Sequence, residues 1–198
     1  MFQNILVLSP HTDDGELGCG GTISRFSEEG KNVFLIAFTE MGDERLEREM
    51  REATRTLGIP TMRTWCYSFP HRRFPLARQR ILEVMLSFLP KPDLVFAPSL
   101  DDIHQDHQVI AQECLRAFKR TTILGYEEPW NNLHFSTTCF IPLHRHHIDN
   151  KIIAVQCYES QKHRNYTTPD AILSLAVARG TQIQKPYAEA FEVVRLIV

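Results

Sequence analysis

The chain has 198 residues, 43% hydrophobic and 23% charged, a balance that predicts one folded domain over 1–198 and argues against wholesale disorder. A chain of this length hides roughly 70% of its unfolded surface, enough for a substantial core. A formal net charge of -2 argues against a general nucleic-acid binder, and no apolar run approaches the roughly 18 residues of a membrane span.

Residues 3–8, which include Ile5-Leu6-Val7-Leu8, read as a buried strand ending near Pro10. The start, MFQNILVLSPH, has no basic region followed by a long apolar segment, so no secretory leader is expected. A polar turn follows, then a helix over 22–29 stopped at Gly30, then a fully apolar strand over 33–38. Residues 43–57 carry Leu46, Met50, Ala53 and Leu57 at helical spacing and end at Gly58 with Pro60 beyond, a strong helix stop. A third strand is expected over 62–67 and a helix over 76–89, with the loop Pro70-His71-Arg72-Arg73-Phe74-Pro75 between them. A fourth strand over 94–97 precedes a helix over 109–118, and a fifth strand over 121–126 follows. The rest reads as a strand near 135–141, helices near 149–163 and 169–179, and a closing strand over 191–198.

Fully apolar strands separated by helices predict an α/β fold: a Rossmann-like, doubly wound, mostly parallel sheet with helices on both faces. In such a sheet of order 3-2-1-4-5, ligands bind at the carboxyl ends of strands one and four, where the order reverses. Both polar clusters of the chain follow those strands. The first is Ser9-Pro10-His11-Thr12-Asp13-Asp14-Gly15-Glu16; the second is Asp101-Asp102-Ile103-His104-Gln105-Asp106-His107. Together they predict one divalent metal held by histidine and carboxylate, because a catalytic zinc site keeps three such ligands and an open position. Spacing alone leaves open whether Asp13 or Asp14 is a ligand, and whether His104 or His107 is.

Several other features weigh less. Gly18-x-Gly20-Gly21 lacks the full dinucleotide fingerprint, so these glycines are expected to let a helix pack close to the sheet. His144-Arg145-His146-His147 has no carboxylate at ligand spacing and reads as a solvated surface turn. His71, Arg72 and Arg73 can attract a phosphate but read more simply as a solvated loop, and Trp130 fits either a sugar platform or a packed loop aromatic. Cys19, Cys66, Cys114, Cys139 and Cys157, odd in number and without a Cys-x-x-Cys pair, are expected to be free thiols in the cytoplasm.

The run His11-Thr12-Asp13-Asp14-Gly15-Glu16-Leu17-Gly18-Cys19-Gly20-Gly21-Thr22 resembles the His-Pro-Asp-Asp-x-Glu-Leu-Gly-x-Gly-Gly-Thr signature of the PIG-L/LmbE-like de-N-acetylase family. Asp102-Ile103-His104-Gln105-Asp106-His107 is similar to that family's second motif, Asp-x-His-Pro-Asp-His, and Arg179-Gly180 with Tyr187-Ala188-Glu189-Ala190-Phe191 extends the likeness toward the C-terminus. The resemblance implies His11, Asp14 and His107 as metal ligands and Asp13 as general base. It further implies His104 as the stabiliser of the developing oxyanion and Asp106 as the partner that orients an imidazole. Thr12 and Gln105 replace prolines, and where some members of the family place a tyrosine just before the second motif this chain has Asp101-Asp102, so that role is unassigned.

The implied activity is hydrolysis of an N-acetyl group on an N-acetylglucosamine-type sugar by metal-bound hydroxide, with zinc as cofactor and ferrous iron compatible with the same ligands. The expected partner is a small molecule or glycan bearing an N-acetylated sugar, with neither nucleic acid nor a membrane span involved and a homo-oligomer allowed. The alternatives are hydrolysis of another amide at the same metal site and a non-catalytic sugar- or nucleotide-binding module.

Overall fold

The computed structural model describes residues 2–197. Seven strands and six α-helices follow one another among these residues: β1 (Asn4–His11), α1 (Asp14–Glu28), β2 (Asn32–Thr39), α2 (Glu44–Thr56), β3 (Thr64–Cys66), α3 (Arg78–Ser87), β4 (Leu94–Pro98), α4 (Gln105–Ala117), β5 (Thr122–Tyr126), β6 (Cys139–Leu143), α5 (Arg145–Gln156), α6 (Pro169–Thr181) and β7 (Tyr187–Arg195). The strands form one sheet of order β3-β2-β1-β4-β5-β7-β6. The first five are parallel, in the order expected from the sequence, and β7 and β6 add antiparallel strands at one edge. The fold is α/β and Rossmann-like.

The apolar strands have two buried faces. Ile5 and Val7 of β1 enter one core with Leu35, Leu17 and Ile148, while Leu6 and Leu8 enter the other with Ile36, Ile81 and Ile110. Alternate side chains of one strand thus anchor both helical layers, each fully buried aliphatic contributing about 1.5–3 kcal/mol relative to exposure. This packing fixes where the ends of β1 and β4 lie.

Both polar clusters are more helical than the sequence suggests. The turn expected between His11 and Thr22 is the first half of α1, which begins at Asp14 and bends at Cys19 (φ -143°). Four glycines disfavour a helix on propensity, but close packing favours it: a Cβ at Gly18 would lie 2.3 Å from Tyr126 Cδ2 on β5, and one at Gly21 would lie 2.6 Å from Leu143 on β6. Gly18 and Gly21 therefore admit a close approach to the sheet, and Gly20 one to Lys151 of α5. Likewise α4 starts at Gln105, so Gln105, Asp106 and His107 of the second cluster lie in its first turn and His104 is its N-cap.

Near the C-terminus, residues 135–138 precede β6, and β7 begins at Tyr187, earlier than expected. Val198, the last residue of the expected closing strand, lies outside the described residues. In the histidine run His144, Arg145 and His146 are exposed, as expected of a surface turn, but the run is helical and its last residue is not solvated. It opens α5, His147 is buried, and its Nε2 lies 2.6 Å from Glu28 Oε2, a carboxylate that arrives from 119 residues away.

Candidate metal centre

His11 ends β1 and Asp14 begins α1, so one sharp turn sets an imidazole beside a carboxylate. Ser9 ties the turn down: its hydroxyl donates to the His11 carbonyl at 2.5 Å and accepts the Gly15 N–H at 2.8 Å. Asp14 Oδ2 accepts the His11 backbone N–H at 2.7 Å and lies 3.1 Å from His11 Nδ1. Across the β1–β4 boundary, His107 brings its Nε2 to 3.3 Å from Asp14 Oδ2 and 3.2 Å from His11 Nδ1. Three ligand-type atoms, each from a buried residue, thus form a near-equilateral triangle.

A tetrahedral zinc ion with ligands near 2.0–2.1 Å holds neighbouring donor atoms about 3.3 Å apart, so the triangle matches such an ion in size. The far nitrogen of each ring has a carboxylate partner. His107 Nδ1 lies 2.8 Å from Asp102 Oδ2, and His11 Nε2 lies 3.4 Å from Asp106 Oδ2. In a neutral imidazole that arrangement keeps the proton on the outer nitrogen and the lone pair on the inner one. Asp102 also accepts the His104 backbone N–H at 2.8 Å, so the same carboxylate shapes the turn and orients the ring.

The electrostatics follow from burial and close charge. Burial would lower the pKa of His11, but Asp14 and Asp106 raise it to about 9. Burial would raise Asp14, yet the two imidazoles hold it well below the ordinary carboxylate range. Asp13 stands apart: its carboxylate lines the cavity over the triangle, and burial with the neighbouring Asp14 charge pushes it up to about 6. His104 caps α4, its Nδ1 accepting the Asp106 N–H at 3.2 Å, so the neutral ring carries its proton on Nε2. Burial and the charges of His107 and His11 lower its pKa to about 4, which keeps the ring neutral at pH 7. Asp106 accepts the backbone N–H groups of Arg72 and Phe74 at 2.7 and 3.2 Å and sits below the ordinary range, those bonds and His11 outweighing its burial.

The cavity, about 200 Å³, is lined by His11, Asp13, Asp14, His104 and His107 together with groups that sequence reasoning did not single out for this site. Glu128, 1% exposed, lies 3.6 Å from His107 Nδ1, and its Oε1 has no hydrogen-bond partner. Burial and the Asp14 charge hold its pKa well above the ordinary range. Arg164 and Tyr166 come from the α5–α6 connection. Trp130 stacks on Tyr166 with centroids 3.8 Å apart and planes at 12°, so it is packed against a protein ring at the cavity wall. His71 is drawn in edge-on against His11, centroids 5.1 Å apart. No motif spacing marks Glu128, Arg164 or Tyr166; only the docking of distant loops brings them in.

Comparison with known proteins places the chain in a family. YaiS of Escherichia coli (strain K12), named an uncharacterized deacetylase, is 28% identical over 176 residues, 80% of this chain and 91% of its own. The crystal structure of the conserved protein TT1542 from Thermus thermophilus superposes with a TM-score of 0.82 at 26% identity, covering 100% of this chain and 97% of that one. Two others share the fold at 19% identity. The N,N'-diacetylchitobiose deacetylase from Pyrococcus horikoshii has a TM-score of 0.76 over 96% of this chain and 83% of its own. The 4-carboxy-2-hydroxymuconate hydratase GalB from Pseudomonas putida KT2440 has a TM-score of 0.79 over 99% and 98%. A hydratase on the same scaffold means that the fold alone does not decide the reaction. The sequence family PIG-L, described as GlcNAc-PI de-N-acetylase, matches residues 6–118, more than half of the chain and both motifs, and the chain belongs to that family.

Proposed function

We propose that the protein is a zinc-dependent hydrolase that removes the N-acetyl group from an acetamido sugar of the N-acetylglucosamine type. The observation that carries this reading is the triangle of His11 Nδ1, Asp14 Oδ2 and His107 Nε2, with edges of 3.1–3.3 Å and a carboxylate behind each ring. These three residues would hold the ion, and ferrous iron suits the same donors. When bound there, the metal supplies a Lewis acid that polarises an acyl oxygen and acidifies water at neutral pH.

The chain's own groups carry the protons. Asp13, buried and with its pKa pushed up to about 6, is ionised at pH 7 and basic enough to take the proton of the water that attacks the acetyl carbon. As the carbon–nitrogen bond breaks, the same carboxyl returns that proton to the leaving nitrogen, and the products are acetate and the sugar amine. His104, neutral with its proton on Nε2, donates to the oxygen that gains charge in the tetrahedral transition state. Asp102 and Asp106 act through the rings they orient. The five free cysteines support a reducing, cytoplasmic setting.

The test is amine release from N-acetylglucosamine glycosides by zinc-supplied protein, with Asp13→Asn alongside. Release of one acetate per amine by the wild type is expected. Binding of acetamido sugars without any amine release would overturn the hydrolase and leave a binding module.

A further inference from the structure

A second cavity, of about 400 Å³, lies between α1, α5, α6 and β7. Its floor is Leu17 of α1, Ile148 of α5 and Ala188 and Ala190 of β7, all buried. Its mouth is formed by the half-buried Trp130, Tyr166, Ala171 and Leu175. The charged groups in its wall are spent on one another. Lys151 Nζ lies 2.7 Å from Glu189 Oε1, and Arg179 holds Glu127 through two N–H groups. Glu189 also accepts the Gly21 and Thr22 N–H groups at 3.0 and 2.7 Å. Each cation has its carboxylate, so the cavity offers an apolar interior without net charge, the usual character of a site for an uncharged small molecule.

This cavity adjoins the one over the metal triangle. Trp130 and Tyr166 line both, and the consecutive residues Glu127 and Glu128 line one each. Leu17 and Gly18 follow Asp14 by about one turn of α1, a rise of about 5.4 Å. The shared wall is fixed before any ligand arrives, because Tyr166 and Arg164 sit on the α5–α6 connection and that connection is pinned at three points. The Tyr158 hydroxyl donates to the Thr12 carbonyl at 2.5 Å, Ser160 Oγ donates to Glu49 at 2.5 Å, and Gln156 Nε2 donates to the Thr167 carbonyl at 2.8 Å. A wall held in place in this way loses little freedom on binding. Apart from Leu17 and Gly18, every residue lining the second cavity follows residue 118, outside the segment that the PIG-L family matches, so neither motif accounts for it.

We propose that this second cavity takes an apolar aglycone, so that the N-acetyl sugar accepted here carries an alkyl or aryl group on its glycosidic oxygen. This inference rests on the deacetylase reading of the neighbouring site. With the acetamido group at the triangle, an aglycone that passes the Trp130–Tyr166 pair leaves water for the apolar interior, and that transfer is favourable in proportion to the area buried.

The test compares methyl and butyl N-acetylglucosaminide. Amine release by zinc-supplied wild type, Ala171→Phe, Leu175→Asp and Val177→Phe gives kcat/KM for each. A methylene that leaves water for an apolar interior is worth up to about fourfold in affinity, so the wild type is expected to favour the butyl glycoside by about 10-fold or more, mainly through KM. Ala171→Phe narrows the mouth and Leu175→Asp puts an uncompensated charge there, so each should bring the ratio toward one. Val177, exposed on α6 and outside the cavity lining, is the control for added bulk: Val177→Phe should keep the wild-type ratio, and a ratio lost there as well overturns the proposal. Equal kcat/KM on the two glycosides in the wild type, or a ratio unchanged in both mouth variants, also overturns it. Titration of metal-free protein with the two glycosides, read by tryptophan emission because Trp130 stands at the mouth, keeps the two readings apart. If nothing is deacetylated, tighter binding of the butyl glycoside by the wild type but not by the mouth variants upholds the cavity while the deacetylase fails. Equal binding overturns the cavity as well.

Discussion

His11 and His107 offer opposite ring nitrogens to the same point, Nδ1 from the first and Nε2 from the second, and each choice is fixed from behind by a carboxylate. Asp102→Asn keeps the shape of that support and removes its charge. Zinc affinity is expected to fall about 10–100-fold, read by competition with a chromogenic chelator. Asp13→Asn should bind zinc as the wild type does and lose about 100- to 10,000-fold in kcat. Near-normal turnover in that variant would assign the base to another group. The residue types at this site are legible in the sequence because both clusters directly follow apolar strands. The finer choice between Asp13 and Asp14, or His104 and His107, is not, because it depends on which side chain the first turn of a helix points inward. Glu128 and Arg164 carry no local signal at all; one is recognised by burial with an unpartnered oxygen, the other by the loop anchors around it.

At the scale of elements, α1 is the part that joins fold to site. Its first half carries Asp14, and Gly15, Gly18 and Gly21 face the sheet, with Gly18 against Tyr126, whose hydroxyl donates to the Leu8 carbonyl at 3.0 Å. Gly18→Ala puts a methyl group where Tyr126 stands, and a destabilisation of about 1–3 kcal/mol is expected in urea unfolding. An unchanged midpoint would show that the helix can slide away from the sheet. Strand composition makes the parallel half of the sheet readable, since runs such as 33–38 are apolar on both faces. The start of α1 is hidden in the sequence because glycine and aspartate favour turns locally, and tertiary packing overrides that preference. The burial of His147, at the end of an otherwise exposed histidine run, is hidden for a related reason: Glu28, its partner, is distant in sequence and reaches it only when α1 packs on α5.

For the molecule as a whole, the two motifs are separated by about ninety residues and meet only when β1 and β4 pair in the sheet. A metal that bridges them binds the folded chain and not the unfolded one, so its occupancy should appear as stability. At a free zinc concentration of about 100 times Kd the gain is about 2.7 kcal/mol. For a chain of this size that corresponds to about 5–10 °C in Tm, lost on adding a chelator and measurable by scanning calorimetry. A Tm that ignores both zinc and chelator would speak against a site shared between β1 and β4. The sequence suggests this meeting only through an assumed strand order; the sheet order β2-β1-β4 supplies it physically.

The measurement to make first is the metal content per chain of wild type, His107→Ala and His146→Ala, each purified without a metal-affinity step. One ion of zinc or iron in the wild type, little in His107→Ala and one in His146→Ala is the expected result, because His107 completes the triangle while His146 belongs to the separate Glu28 cluster. No metal in the wild type after zinc is supplied, or equal metal in wild type and His107→Ala, would contradict an ion shared by the two motifs.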